Sequence, residues 1–216
     1  MQTEITKIQK TKQGHYALFC VSGFLFSVDE LTVSEYHLQE GIVLSEAELS
    51  ALEKKSQFQK AKSKALTYLS LRDYGRAELR AKLERLFDED TAIAAVQKMQ
   101  ELGYIDDERF AAHRAKYLLE TRGMSIRETG QKLRQLKLDR EIIKVALEAF
   151  SSEEGDKENA VAFLRKKQLT NLQNGNYKKV LAAMQRKGFN YSAARYAVEV
   201  VLQEQNLQID MDDEEF

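Results

Sequence analysis

The side chains in this sequence whose types and spacing could do chemistry are basic, and they recur along the chain. Arg72, Arg76 and Arg80 lie four residues apart, so the last two share one face if a helix begins near Arg76. Arg122 follows Arg72 by 50 residues. Guanidinium and ammonium groups at equivalent places in an array can bind the phosphates of a nucleic acid or the carboxylates of an acidic groove.

The distribution of charge supports an anionic partner. Residues 159–198 hold eight basic side chains and no acidic one, and residues 111–150 hold nine basic and five acidic. The alternative is that these residues lie on ordinary solvated helix faces. For the arginines near Glu78 and Glu84 we give binding and solvation equal weight. Further along the chain, where acidic residues are scarce, binding is favoured. We therefore predict that a basic stripe of fifteen residues contacts DNA or a protein partner. Its members are Arg72, Arg76, Arg80, Lys82, Arg122, Arg127, Lys132, Arg134, Lys137, Lys166, Lys167, Lys178, Lys179, Arg186 and Lys187.

Residue patterns typical of catalysis are missing from the sequence. His15, His37 and His113 are far apart, and neither a phosphate-binding glycine loop nor a GxSxG motif occurs. The carboxylates at 106–108 are explained by the start of a helix, where negative charge meets the positive end of the helix dipole. We predict a protein that is not an enzyme and has no catalytic residue, metal or cofactor.

A repeat with a period of about 51 residues predicts the fold. An apolar residue followed by a helix-capping Asp or Asn recurs every 51 residues, and apolar positions of the following helix recur with it. The three copies are Phe87-Asp88, Leu138-Asp139 and Phe189-Asn190. Proline is absent, as expected of a mostly helical chain with short connections. The pattern predicts a mainly α protein, an elongated tandem array of three three-helix repeats preceded by a small β-containing N-terminal extension.

The predicted organisation follows from these repeats and from local signals. It comprises a β-containing extension (1–44), a linking helix (45–59), three-helix repeats at 60–105, 106–152 and 153–206, and an acidic disordered tail (207–216). The helices are predicted at roughly 60–71, 76–86 and 91–102, then 107–121, 126–136 and 140–150, then 157–169, 177–187 and 191–205, with a polar loop at 169–177. The aromatic residues of the repeats are predicted to fill the core: Tyr68, Tyr74, Tyr104, Phe110, Tyr117, Phe163, Phe189 and Tyr196.

The N-terminal extension carries strand and capping signals. His15 to Val21 and Phe24 to Val28 are rich in strand formers and are separated by Ser22-Gly23, which predicts a hairpin. Residues 45–48, Ser-Glu-Ala-Glu, form a capping box, so a helix begins there. The extension of about 40 residues is too small to be stable alone.

Composition indicates a cytoplasmic protein. Of the 216 residues, 43% are hydrophobic and 31% are charged, which suits a helical protein with real cores. The single cysteine, Cys20, allows no intramolecular disulfide, as is usual in a reducing compartment. The first ten residues do not resemble a signal peptide, and no apolar run reaches membrane-spanning length.

Two segments resemble a known family. Ala65 to Arg72, followed by Glu78-Leu79, is similar to the beginning of the RecX regulatory proteins, and the phrase from Leu102 to Ala111 (LGYIDDERFA) is similar to their most distinctive motif. The resemblance covers about residues 60–205 well and the first sixty more loosely. It implies a modulator of the RecA recombinase that binds the RecA–DNA filament along its groove and suppresses strand exchange, ATP hydrolysis and coprotease activity. The implied partners are the RecA filament and single- and double-stranded DNA, bound largely without sequence preference by a monomer, with no membrane partner.

Other functions remain open at this point. Three-helix units can resemble helix-turn-helix modules, so a sequence-specific DNA-binding regulator is an alternative that predicts strong discrimination between sequences. A protein-only scaffold would have negligible affinity for naked DNA even at low salt. A nuclease is a more distant possibility and would show metal-dependent cleavage.

Overall fold

The computed structural model describes residues 2–12 and 14–205, and in this part of the chain short strands are followed by helices. The chain divides after Asp106 into two compact units. The prediction of a mainly α protein with three-helix repeats and a small β-containing N-terminal extension is confirmed. The acidic tail predicted at 207–216 lies outside the described residues.

The N-terminal extension contains two small antiparallel sheets. Its elements are β1 (Gln2–Glu4), β2 (Lys7–Lys10), β3 (Tyr16–Cys20), β4 (Gly23–Val28), α1 (Glu30–Glu35) and β5 (Val43–Ser45). β1 pairs with β5, and the order of the other sheet is β2-β3-β4. The hairpin is confirmed, but its turn is one residue earlier than expected, because Cys20 pairs with Gly23 and leaves Val21-Ser22 as the loop. Gly23 itself has a φ of +117°, which explains why glycine stands there.

A long helix completes the core of this extension. α2 (Glu46–Leu69) begins at the predicted capping box, with Ser45 and Glu48 bonded reciprocally. Leu52 of α2 is fully buried in one cluster with residues of the sheets such as Ile5 and Leu18. The Ser56 hydroxyl donates to the carbonyl of Ser27 at 2.5 Å. The extension thus obtains from α2 the apolar surface that it could not supply alone.

Helices in groups of three form the rest of the described chain. The first repeat uses the C-terminal half of α2 with α3 (Arg76–Leu83) and α4 (Glu89–Glu101). The second uses α5 (Asp107–Lys116), continued by a π-helical turn (Tyr117–Thr121), with α6 (Ile126–Gln135) and α7 (Arg140–Glu148). The third uses α8 (Glu153–Lys167) and the short α9 (Leu169–Gln173) with α10 (Tyr177–Arg186) and α11 (Tyr191–Glu204). Each repeat has its own buried cluster.

Equivalent positions of the repeats have equivalent burial. The second helices bury two positions, one turn apart, whose side chains have no exposed surface. These are Leu79 and Leu83 in α3, Thr129 and Leu133 in α6, and Val180 and Met184 in α10. Asp88, Asp139 and Asn190 stand as N-caps directly before the third helices. The buried positions of the second helices recur in the sequence at intervals of 50 and 51 residues, so the repeat extends to the core face of these helices.

Two predictions about the repeats are wrong. The segment 169–177 is not entirely a polar loop, because Leu169–Gln173 is helical and anchors its Leu172 in the core of the third repeat. Not all aromatic residues fill the core, since Tyr104, Tyr117 and Tyr196 are 54%, 42% and 42% exposed. An exposed tyrosine keeps its hydroxyl in water, and the spacing of residues along a helix does not show how wide its buried face is.

Candidate nucleic-acid interface

The second helix of each repeat carries most of the basic stripe. Since α3, α6 and α10 bury one face in their own repeats, their charged residues lie toward the opposite side. α6 and α10 each carry three basic residues, and α10 carries no acidic one. The three helices differ, however, in what their basic residues contact.

Arg72 and Arg80 of the first repeat are bound to carboxylates of their own unit, and Arg76 is the first residue of α3. The two terminal nitrogens of Arg72 donate to the two oxygens of Glu78 at 3.1 and 2.5 Å. Arg80 donates to Glu84 at 2.5 Å and to Glu89 at 2.6 Å. The hydrogen bond to Glu78 raises the pKa of Arg72 above its ordinary value. These exposed pairs hold the guanidinium groups against carboxylates and so compete with the binding of a phosphate.

The basic residues of the second and third repeats are more available. Lys132 has only a long hydrogen bond to the amide of Gln135 at 3.4 Å, and Lys187 forms a salt bridge with Glu128 at 3.2 Å. The other members of the stripe in this unit are exposed and have no carboxylate partner among the described residues. They are Arg122, Arg127, Arg134, Lys137, Lys166, Lys167, Lys178, Lys179 and Arg186.

A cleft between α6 and α10 gathers part of this charge. The cleft has a volume of about 570 Å³, and Arg127, Arg186 and Lys187 line it. Amide side chains add further hydrogen-bond donors, and Phe163 supplies apolar surface. The amides are those of Gln131, Gln168 and Gln185. Three cations against the single carboxylate of Glu128 make this a site suited to anionic oxygens.

A tight contact holds the two walls of the cleft together. Ser125, the N-cap of α6, is fully buried; its hydroxyl accepts from the amide of Glu128 at 3.1 Å and donates to the carbonyl of Lys187 at 2.7 Å. Gly188, which follows Lys187 in the chain, has a φ of +94°. A Cβ at Gly188 would lie 2.8 Å from the Ser125 hydroxyl and 3.1 Å from Cβ of Arg127. Glycine at 188 therefore allows this close approach.

Sequence reasoning missed Ser125 and Gly188. A local signal existed for the serine, because Ser125 and Glu128 have the spacing of a capping box. Its partner is 62 residues away, and no local pattern gives that contact. Glycine is a usual residue just after a helix, as at Gly188, but nothing in the local sequence indicates the contact of Gly188 with Ser125.

α6 contains several locally unfavourable residues beside its basic ones. The hydroxyl of Thr129 is buried without a hydrogen-bond partner among the described residues, at a position where the other repeats have Leu79 and Val180. Gly130 lies inside the helix, where glycine costs about 1 kcal/mol relative to alanine. Lys137, just past the helix, has a φ of +58°. Departures of this kind concentrate where function outweighs stability.

We expect Lys137→Gly to stabilise the protein and to weaken DNA binding. The left-handed conformation costs a residue with a Cβ about 1–2 kcal/mol, which glycine avoids. The same change removes an exposed cation from the stripe. The unfolding midpoint in urea and the dissociation constant for duplex DNA at low salt should therefore rise together.

A second variant at the same position is Lys137→Asn. Asparagine tolerates the left-handed region and also lacks the charge. Binding that is unchanged in both variants would remove Lys137 from the stripe.

Groups that could hold a metal ion are missing from the described residues, as no three His, Cys, Asp or Glu side chains come together there. Cys20 is a half-buried free thiol. Within the same residues no helix combines the length and apolar character that crossing a membrane requires.

Tandem three-helix repeats with basic residues on their second helices define a helical-repeat protein. Among known proteins, the regulatory protein RecX of Listeria monocytogenes serovar 1/2a (strain ATCC BAA-679 / EGD-e) is 30% identical over 199 residues, which are 90% of this chain and 73% of that protein. The chain belongs to the RecX family.

Further comparisons agree with this assignment. The family model for the first three-helix domain of RecX matches residues 61–99. A crystal structure of a regulatory protein RecX superposes with a TM-score of 0.71 at 26% identity, covering 91% of this chain and 99% of the other. RecX of Listeria welshimeri serovar 6b is 32% identical over 152 residues, which are 70% of this chain but 56% of that relative, so the match spans little more than half of its length.

Proposed function

We propose that this protein regulates the RecA recombinase by binding the RecA–DNA filament along its groove, and that it acts as an inhibitor of ATP hydrolysis, strand exchange and coprotease activity in recombination and DNA repair. Membership of the RecX family carries this proposal, through the 30% identity to a regulatory protein RecX over most of both chains. We place the protein in the cytoplasm, where RecA filaments form.

The available cations of the second unit supply the proposed means of binding. Exposed arginine and lysine side chains without carboxylate partners favour phosphate oxygens, and they give no sequence preference because every nucleotide offers the same phosphate. Each contact is weak. Several contacts on linked repeats of one monomer add up, since after the first has formed the others are intramolecular.

A test with preassembled filaments addresses the proposal directly. The purified protein is added at substoichiometric ratios to RecA filaments formed on single-stranded DNA with ATP, and ATP hydrolysis and strand exchange are followed. We expect both activities to fall, because one bound regulator can affect several neighbouring RecA protomers. Retention of both activities at equimolar protein would contradict the proposal.

The same preparation separates the competing functions. Sequence-selective binding to naked duplex DNA, without an effect on RecA, would support a DNA-binding transcription regulator instead. Inhibition of RecA together with negligible affinity for naked DNA would support a protein-only mode of action. Metal-dependent cleavage of the DNA would indicate a nuclease.

A further inference from the structure

A group of lysine and tyrosine side chains in the first repeat forms a second basic feature, apart from the cleft between α6 and α10. The ammonium groups of Lys64 on α2 and Lys82 on α3 both lie 5.2 Å from the ring centre of Tyr68. Lys82 also lies 5.8 Å from the ring centre of Tyr74, and the two rings are 6.1 Å apart. We call Lys64, Tyr68 and Lys82 the lysine–tyrosine cluster.

The charges around the cluster are not balanced. Arg72 stacks on Tyr74 at 3.7 Å, but its charge is taken up by Glu78. Neither Lys64 nor Lys82 has a carboxylate partner among the described residues. Their nitrogens are at most about 10 Å apart, because both lie 5.2 Å from the same ring centre. At low salt, where screening is weak, two ammonium groups within this distance repel each other, and the contacts with the ring offset this only in part, since an exposed cation–π contact contributes about 0.5–1 kcal/mol.

The architecture fixes this arrangement more firmly than is usual for surface lysines. Lys64 and Tyr68 lie one turn apart on α2, so they share a helix face. Lys82 comes from α3, and the buried Leu79 and Leu83 on either side of it anchor that helix in the core. Tyr68 packs against the same core while remaining half-exposed. The two cations are thus presented together by two packed helices.

We propose that the lysine–tyrosine cluster binds the phosphodiester backbone of a nucleic-acid strand, which gives the first unit a phosphate contact independent of the cleft in the second. Each ammonium group binds an oxygen of one of two neighbouring phosphates, and the two bound anions relieve the repulsion between the lysines. This deepens the proposed function and rests on it, because the RecA–DNA filament is the source of the strand.

The chemistry favours phosphate over base recognition. Lysine binds a phosphate oxygen as a compact charge with rotatable donors, and the neighbouring Arg72 is already bound to a carboxylate. Tyr68 is half-buried and Tyr74 is buried, so the two rings leave little exposed face on which a base could stack. The contact is therefore to the backbone and is independent of sequence.

The test measures binding of oligothymidylate to the full chain as a function of salt. Lys64→Gln/Lys82→Gln is expected to weaken binding at low salt and to reduce the slope of log K against log salt by about 1.4, since each phosphate contact on a single strand contributes about 0.7. The matched control is Lys54→Gln/Lys62→Gln, which makes the same charge change on α2 and should leave the slope near that of the parent. Equal reductions in the two double variants, or none in either, would overturn the proposal.

Tyr68 supplies a second readout. Tyr68→Phe retains the aromatic ring and should keep the parent slope, while Tyr68→Leu removes the ring that holds the ammonium groups together and should lower the affinity several-fold. Circular dichroism and the unfolding midpoint of each variant show whether the fold is intact. If Tyr68→Leu is folded and binds as the parent does, the ring has no part in the site and the proposal fails in this form.

The outcome is separable from that of the proposed function. ATP hydrolysis by RecA filaments is measured with the same proteins. A slope that falls as expected in a protein without effect on RecA would retain the phosphate site and reject the regulator. If the protein inhibits RecA but Lys64→Gln/Lys82→Gln leaves the slope for oligothymidylate unchanged, the regulator is retained and the phosphate site is rejected.

Discussion

Gly188→Ala is expected to destabilise the second unit by about 2–5 kcal/mol. The φ of +94° at Gly188 costs a residue with a Cβ about 1–2 kcal/mol. The new methyl group would also lie 2.8 Å from the Ser125 hydroxyl and 3.1 Å from Cβ of Arg127, so α6 and α10 must move apart. Overpacking of this kind costs about 1–3 kcal/mol. Urea denaturation followed by circular dichroism measures the sum.

A matched variant separates the two contributions to this loss. Gly175 has a φ of +75°, and a Cβ there would meet nothing within 4 Å. Gly175→Ala therefore pays the conformational cost alone and should lose about 1–2 kcal/mol. Equal losses in the two variants would mean that the contact between Ser125 and residue 188 is looser than the structure indicates.

This contact also bears on binding. Ser125 holds the carbonyl of Lys187 at 2.7 Å, and the cleft lies beside it. A shift of α10 relative to α6 changes the separation of Arg127 and Arg186. Gly188→Ala should thus weaken DNA binding even without urea, where the protein remains folded. Gly175→Ala should leave DNA binding unchanged.

Removing two cations from the cleft is expected to have the largest effect on DNA binding. Arg127→Gln/Arg186→Gln should weaken binding to duplex DNA at least about tenfold at low salt, because a hydrogen bond to a charged group contributes about 1.5–3 kcal/mol. The slope of log K against log salt should fall by about 1.8, since each phosphate contact on a duplex contributes about 0.9. Both arginines are exposed, so the fold should be unaffected. Fluorescence anisotropy over a range of salt concentrations gives both quantities.

The first repeat offers a control with the same change in charge. Arg72→Gln/Arg80→Gln removes two guanidinium groups that are already bound to Glu78, Glu84 and Glu89. Its effect on the slope should be small, because these groups are not free to release counterions from DNA. A loss of affinity equal to that of Arg127→Gln/Arg186→Gln would mean that binding follows net charge and that the cleft has no special part.

The two expectations for the first repeat are compatible. Arg72 and Arg80 are bound to carboxylates, while Lys64 and Lys82 are held at an aromatic ring without a carboxylate partner among the described residues. We therefore expect Lys64 and Lys82, and not Arg72 or Arg80, to contact a phosphate. The basic stripe predicted from the sequence names Lys82 but includes neither Lys64 nor Tyr68.

The sequence by itself determined the repeats and their core faces. The interval of 51 residues, the capping Asp and Asn residues and the alternation of apolar positions are local features, and each acts within one helix or one helix end. That is why Asp88 and Asn190 stand as N-caps of the third helices of their repeats, as predicted. The same local character made the hairpin and the capping box at Ser45 predictable.

Only the tertiary structure decided which charges are available. Arg80 is bound to Glu89 across the turn between two helices, and Ser125 is bound to Lys187 over 62 residues. Exposure of Tyr117 and burial of Leu172 likewise depend on what packs against them. Ion pairs, close approaches and burial are set by distances in space, which the packing of helices creates and which the order of residues along the chain does not contain.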